Sequence, residues 1–253
     1  MRPALAVLCI AGLMSGTAHA ADLKVLTAGA LKPVVSTVSM QFAGDTGRDV
    51  GVENDTAGAL VKRLESGDTC DVVILPTGAL DAIAQKGMAK PATIRPLARV
   101  GIGVAVAAGT PVPDVSSVAA FKTTVLDAPS VAYLDPAAGG SSGVYLVGLF
   151  KRLGIADQVA AKAVPVQGGL VAQRLVDGRA ALAIHQISEI LAVPGVKLAG
   201  PLPAEIQNYT NYSAAVCSKS AEPAAAAALI DALRSPSSAA LFTEKGMEPI
   251  TAK

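Results

Sequence analysis

Leu23-Lys24-Val25-Leu26-Thr27-Ala28-Gly29-Ala30-Leu31-Lys32-Pro33-Val34-Val35 passes from an apolar strand through a turn of small residues into a helix. Leu23 to Thr27 reads as the strand. Val34, Val35, Val38 and Phe42 recur at helical spacing after Pro33, which suits a first helical turn. The pattern then repeats. Val50 to Glu53 is followed by a helix marked by Leu60, Val61 and Leu64 and stopped by Gly67, and Asp71 to Leu75 by a helix carrying Leu80 and Ile83 and stopped by Gly87. Strands alternating with helices, with strands apolar throughout, predict a parallel sheet covered on both faces.

Val100 to Ala107 reads as a long apolar strand, after which the alternation restarts. Helices are expected over Val118–Leu126, Val144–Leu153 and Leu170–Val176, with strands at Ser130–Leu134, Val164–Val166 and Ala180–His185. Tyr209 to Cys217 reads as a second long strand, followed by helices over 222–234 and 237–245. Two α/β units joined by two long strands predict two lobes with a double crossover. The first lobe is expected to comprise residues 21–100 and 208–253, and the second residues 101–207.

The leading twenty residues read differently. Met1-Arg2, the apolar run Ala4 to Met14 and the small-x-small site Ala18-His19-Ala20 form the pattern of a cleaved secretory signal. The run is too short to span a bilayer. Cleavage would leave equal numbers of basic and acidic residues, His185 as the one histidine, and Cys70 and Cys217 in an oxidising compartment. The two cysteines are placed either to pair or to stay as buried thiols. One histidine and no cysteine pair at ligand spacing speak against a metal site. With net charge +1, 3% aromatic residues and no Trp in 253 residues, a nucleic-acid surface is not expected. No cofactor motif is present, and a monomer is expected.

Chemistry is expected beyond the carboxyl ends of the strands, where helix N-termini point. Four turns there are built from small or hydroxyl residues: Ala28-Gly29-Ala30-Leu31-Lys32, Asp55-Thr56-Ala57-Gly58, Pro76-Thr77-Gly78 and Gly139-Gly140-Ser141-Ser142-Gly143. Each offers backbone N–H groups and about half a positive charge from the helix dipole. Facing turns would form a neutral cage for an anion, avoiding the desolvation of a buried Lys or Arg.

Leu26-Thr27-Ala28-Gly29-Ala30-Leu31, Leu64-Glu65-Ser66-Gly67, Asp71-Val72-Val73-Ile74 and Ser142-Gly143-Val144-Tyr145 resemble the periplasmic molybdate-binding proteins of ABC importers. Phe150-Lys151-Arg152-Leu153-Gly154-Ile155 and Gly200-Pro201-Leu202-Pro203 extend the resemblance over the chain after the leader. It implies an α/β fold, the two-lobed type II periplasmic binding protein, with two doubly wound sheets joined by two crossover strands. It also implies a periplasmic location, an anion captured between the lobes and the membrane subunits of an ABC importer as partner. That family holds its oxyanion with serine hydroxyls where this chain has Ala30 and Ala57 or Gly58, and its tyrosine is replaced around His185-Gln186. The segment Gln186-Ile187-Ser188-Glu189, with the Tyr145 turn, is closer to a side branch that includes aconitate isomerase.

For a receptor of a small oxyanion or polycarboxylate the expected cradle is Ser141, Ser142, Gly143 and Tyr145, with Gly29, Ala30, Leu31, Lys32, Thr56, Ala57, Gly58 and Pro76 opposite and His185 and Gln186 at the strand end. For an isomerase moving a proton along an unsaturated tricarboxylate, Lys32, His185, Glu189 and Tyr145 are the candidates for the base and the donor. The G-x-S-x-G match at Gly139–Gly143, with Asp177 and His185 following, suggests a hydrolase elbow. Asp135 to Ala138 separate it from the strand, so the sharp elbow is not expected.

Overall fold

Apolar β-branched runs form the centres of two sheets, and amphipathic helices return the chain across their faces. The computed structural model describes residues 22–250; the leader reading on residues 1–20 lies outside the described residues. In chain order the elements are β1 (Leu23–Ala28), α1 (Lys32–Thr46), β2 (Val50–Asp55), α2 (Ala57–Glu65), β3 (Val72–Pro76), α3 (Thr77–Gln85), β4 (Arg95–Val100) and β5 (Ile102–Ala107). There follow α4 (Val118–Asp127), β6 (Val131–Leu134), α5 (Ser141–Arg152), α6 (Ala156–Ala160), β7 (Ala163–Val166), α7 (Gln173–Val176), β8 (Leu182–Gln186) and α8 (Ile187–Leu191). The chain ends with β9 (Val196–Pro201), β10 (Thr210–Val216), α9 (Pro223–Leu233), α10 (Pro236–Glu244) and β11 (Glu248–Pro249).

The first sheet has the order β11-β4-β10-β3-β1-β2, the second β7-β6-β8-β5-β9. Both faces of each are covered. On the first sheet Val34, Val35, Leu229 and Phe242 pack on one side, and Leu60, Leu64, Leu80 and Ile83 on the other. On the second, Phe121, Leu146 and Leu149 oppose Val171, Leu175 and Ile190. Each such side chain, fully buried, contributes about 1.5–3 kcal/mol. Helix ends follow local chemistry: Ser117 and Ser235 accept the N3 amides of α4 and α10, and Gly47, at φ 70°, closes α1 in the left-handed region.

The expectation of parallel sheets is corrected. β1 pairs parallel with β2 and β3, and β6 with β7 and β8, but β10 runs antiparallel to β3 and β4, and β5 to β8 and β9. The run 100–107 is not one strand either. It crosses between the sheets at Gly101, leaving Val100 on β4 and Ile102 on β5. Gln207, on the return crossing, pins this point: its Oε1 accepts from Ile102 N at 2.8 Å and its Nε2 donates to Ile102 O at 2.9 Å. A Cβ at Gly101 would lie 3.2 Å from the Gln207 amide, so a small residue is favoured there.

Cys70 and Cys217 are bonded, with Cα atoms 5.7 Å apart across 147 residues of sequence. The alternative of two free thiols is therefore set aside. The bridge ties the approach to β3 to the end of β10, its neighbour in the first sheet, and the enclosed loop contains every strand of the second.

Candidate functional site

Strands β1 and β2 of the first sheet end in Ala28 and Asp55, and β6 and β8 of the second end in Leu134 and Gln186. All four residues line one cavity of about 360 Å³ between the sheets. The short 3-10 turn Gly29–Leu31 after β1 has no side-chain cap, and neither has α5, entered through Gly140. Uncapped starts from both lobes, at Gly29 and at Ser141, thus border the same space. α2 differs in that Thr56 Oγ1 caps it by accepting from Ala59 N at 3.2 Å.

The second-lobe start is close-packed. A Cβ at Gly140 would lie 1.8 Å from Leu134 Cδ2, and one at Gly143 would lie 2.1 Å from Leu134 O. These glycines let α5 descend onto the end of β6, placing Ser141 and Ser142 on the wall. Ser141 is oriented by a polar chain across both sheets. Tyr212 Oη donates to Gln186 Oε1 at 2.8 Å, and Gln186 Nε2 donates to Ser141 Oγ at 2.9 Å and Thr210 Oγ1 at 3.1 Å. Burial, reinforced by the nearby Glu189, pushes the Tyr212 phenol well above its ordinary value, so it remains a donor.

Across the cleft mouth the lobes touch directly. Thr56 Oγ1 donates to Ala138 O at 2.5 Å and Gly58 N to Gly139 O at 3.1 Å. A Cβ on Gly58 would sit 2.8 Å from Gly139 Cα, and one on Gly139 would sit 2.8 Å from Gly58 Cα. The contact therefore requires glycine on both sides.

Glu189, on α8, is 9% exposed and lines the cavity. Burial raises its carboxyl to about 8 and lowers the His185 imidazole beneath it to about 3. His185 Nε2 lies 3.6 Å from Glu189 Oε2. Desolvation disfavours both charges, so the pair is neutral near pH 7. His185 Nδ1 is buried without a partner.

Of the residues singled out from sequence, Gly29, Ala30, Lys32, Thr56, Ala57, Ser141, Ser142, His185, Gln186 and Glu189 lie on the cavity wall. Five do not. Leu31 is fully buried in the first-lobe core, and Pro76 ends β3 opposite Tyr212. Gly58 and Gly143 are occupied in the backbone contacts above. Tyr145 turns away, donating to Ile206 O at 2.8 Å with the Arg152 guanidinium 5.3 Å from its ring. Asp177 pairs with Arg174 at 3.4 Å, and it is absent from the wall that His185 lines, so no hydrolase triad assembles. Sequence reasoning missed Tyr212, Ser36, Asn54 and Leu170, all on the wall. Only Tyr212 left a signal, as a phenol within an apolar strand of the first sheet that needs a buried partner. Among the described residues no cluster suited to a metal ion occurs, and no helix is long and apolar enough to cross a membrane.

Comparison with known proteins agrees with this architecture. An aconitate isomerase from Pseudomonas sp. is 35% identical over 237 residues, covering 91% of this chain and 89% of the relative. The periplasmic molybdate-binding protein of Azotobacter vinelandii superposes with a TM-score of 0.75 at 20% identity, over 91% of this chain and 100% of that one. The sulfate-binding protein of Mycobacterium tuberculosis superposes at 0.72 with 15% identity, over 90% and 86%. These structures share the two-lobed periplasmic binding-protein fold. The model of the bacterial extracellular solute-binding proteins matches residues 23–248, and the chain belongs to that family.

Proposed function

We propose that the protein is a periplasmic binding protein that captures a small organic polycarboxylate between its lobes and delivers it to an ABC importer. The observation that carries this reading is the pair of uncapped helix starts, at Gly29 and Ser141, bordering one cavity from opposite lobes. Main-chain amides there are preorganised for an anion and need no buried counter-charge. Lys32, also on the wall, forms no ion pair among the described residues and supplies a cation for a carboxylate. A cavity of about 360 Å³ lined by Ala28, Ala30, Ala57, Leu134 and Leu170 suits an anion with a carbon body better than a tetrahedral oxyanion. The periplasmic assignment is supported by the leader pattern and by the family. Thermal-shift titration with di- and tricarboxylates, molybdate, tungstate, sulfate and phosphate tests it. A carboxylate at 100 times its dissociation constant stabilises by about 2.7 kcal/mol. Stabilisation by molybdate alone would contradict the ligand class.

A second reading, an isomerase interconverting cis- and trans-aconitate, is favoured by the 35% identical relative together with a cavity carboxyl raised to about 8, suited to proton transfer near neutrality. Incubation with either isomer followed by chromatography decides. The binding-protein reading requires the anion to be recovered unchanged, and interconversion would replace it.

A further inference from the structure

Glu189 is a deeply buried acid on the cavity wall whose side chain forms no hydrogen bond among the described residues. Among the described residues its carboxyl oxygens accept from no donor, and His185 Nε2, at 3.6 Å, stands just outside hydrogen-bond reach. Its Oε1 packs against Gly29, where a Cβ would come within 2.6 Å, so the acid is pressed toward the uncapped turn of the opposite lobe. An ionised carboxylate at that place would be poorly solvated and would repel any anion held by the two helix starts. We propose that Glu189 is a specificity-determining contact, which acts as a neutral carboxylic acid and donates its proton in a hydrogen bond to a carboxylate oxygen of the bound anion. Capture is then linked to proton uptake, because only the protonated cleft accepts the guest. This rests on the reading of the cavity as an anion site.

The groups facing Glu189 fit the role. His185 on β8 is neutral, and Tyr212 on β10 stays protonated and already donates to Gln186. Across the cavity are Lys32, at the start of α1, and Asp55, which ends β2 with its Oδ1 accepting from Thr56 N at 2.7 Å. Burial holds the Glu189 carboxyl near 8 without a ligand, and a bound anion would raise it further.

The test uses propane-1,2,3-tricarboxylate, which is saturated and cannot isomerise, in calorimetric titrations from pH 7 to 9.5 in buffers of differing ionisation enthalpy. The dissociation constant is expected to rise above pH 8 with a slope approaching tenfold per pH unit, and binding at pH 8.5 to take up a substantial fraction of a proton per anion. In Glu189→Gln both the slope and the uptake should vanish. A wild-type dissociation constant constant to pH 9.5, or a slope that persists in Glu189→Gln, would overturn the proposal while leaving anion capture intact. Absence of binding by this and every other carboxylate at pH 7 would instead overturn the anion reading, and this inference with it.

Discussion

Glu189 and His185 place opposite conditions on stability. Between the ordinary glutamate value and about 8, the folded chain retains a proton at Glu189 that the unfolded chain has released, so stability falls as pH rises through that window. His185, lowered to about 3, stays neutral in the fold while the unfolded chain takes up a proton below about 6.5, so stability falls as pH drops from 6.5 toward 3. The two slopes oppose one another from about pH 4.5 to 6.5, where the ligand-free protein should melt highest. From pH 6.5 to 8 only the Glu189 loss remains. Calorimetric melting should therefore show the wild type losing stability over that interval and Glu189→Gln losing much less; parallel curves would contradict the assignment. At this scale the sequence marked His185 and Glu189 as ionisable residues near a strand end. Their mutual distance and burial depend on how α8 packs beside the Gly29–Leu31 turn, which no local pattern encodes.

Among the elements, α5 and the α2 start show two uses of glycine. Gly143→Ala would drive a Cβ into the Leu134 carbonyl, and overpacking of this kind costs about 1–3 kcal/mol, read as a lowered urea midpoint. Gly58→Ala has a different expected outcome. It meets Gly139 only where the lobes touch, so it should leave unfolding nearly unchanged and weaken anion binding about tenfold by holding the cleft ajar. Equal binding by Gly58→Ala would show that the contact is not part of the binding state. Periodicity made most strands and helices legible, because continuous apolar runs such as Val72–Leu75 need burial on both faces. It failed at β4 and β9, where half-exposed residues dilute the pattern, and at Gly101, where one apolar run serves two sheets. Tyr145 shows the converse: its place near the start of α5 was legible, but the rotation of that helix sends the phenol to Ile206.

For the whole molecule, the Cys70–Cys217 bridge encloses the second lobe within a loop that starts and ends in the first. In the chain-entropy model a closed loop of this size stabilises by up to about 5 kcal/mol. Reduction should lower the denaturant midpoint of unfolding, and a Cys70→Ala/Cys217→Ala double variant should match the reduced wild type. Two lobes were legible because the strand–helix pattern ran twice. Their separation, the mixed strand directions and the Gln207 pin were not, since these depend on contacts between distant segments. In the proposed binding mode, main-chain amides from both lobes hold a single anion. Amide shift perturbation in 15N-labelled protein, titrated with propane-1,2,3-tricarboxylate, tests it most directly. The predicted result is one saturable transition moving the amides of Ala30, Ser141 and Ser142 together, whereas shifts confined to one lobe, or absent from these amides at saturation, would contradict it.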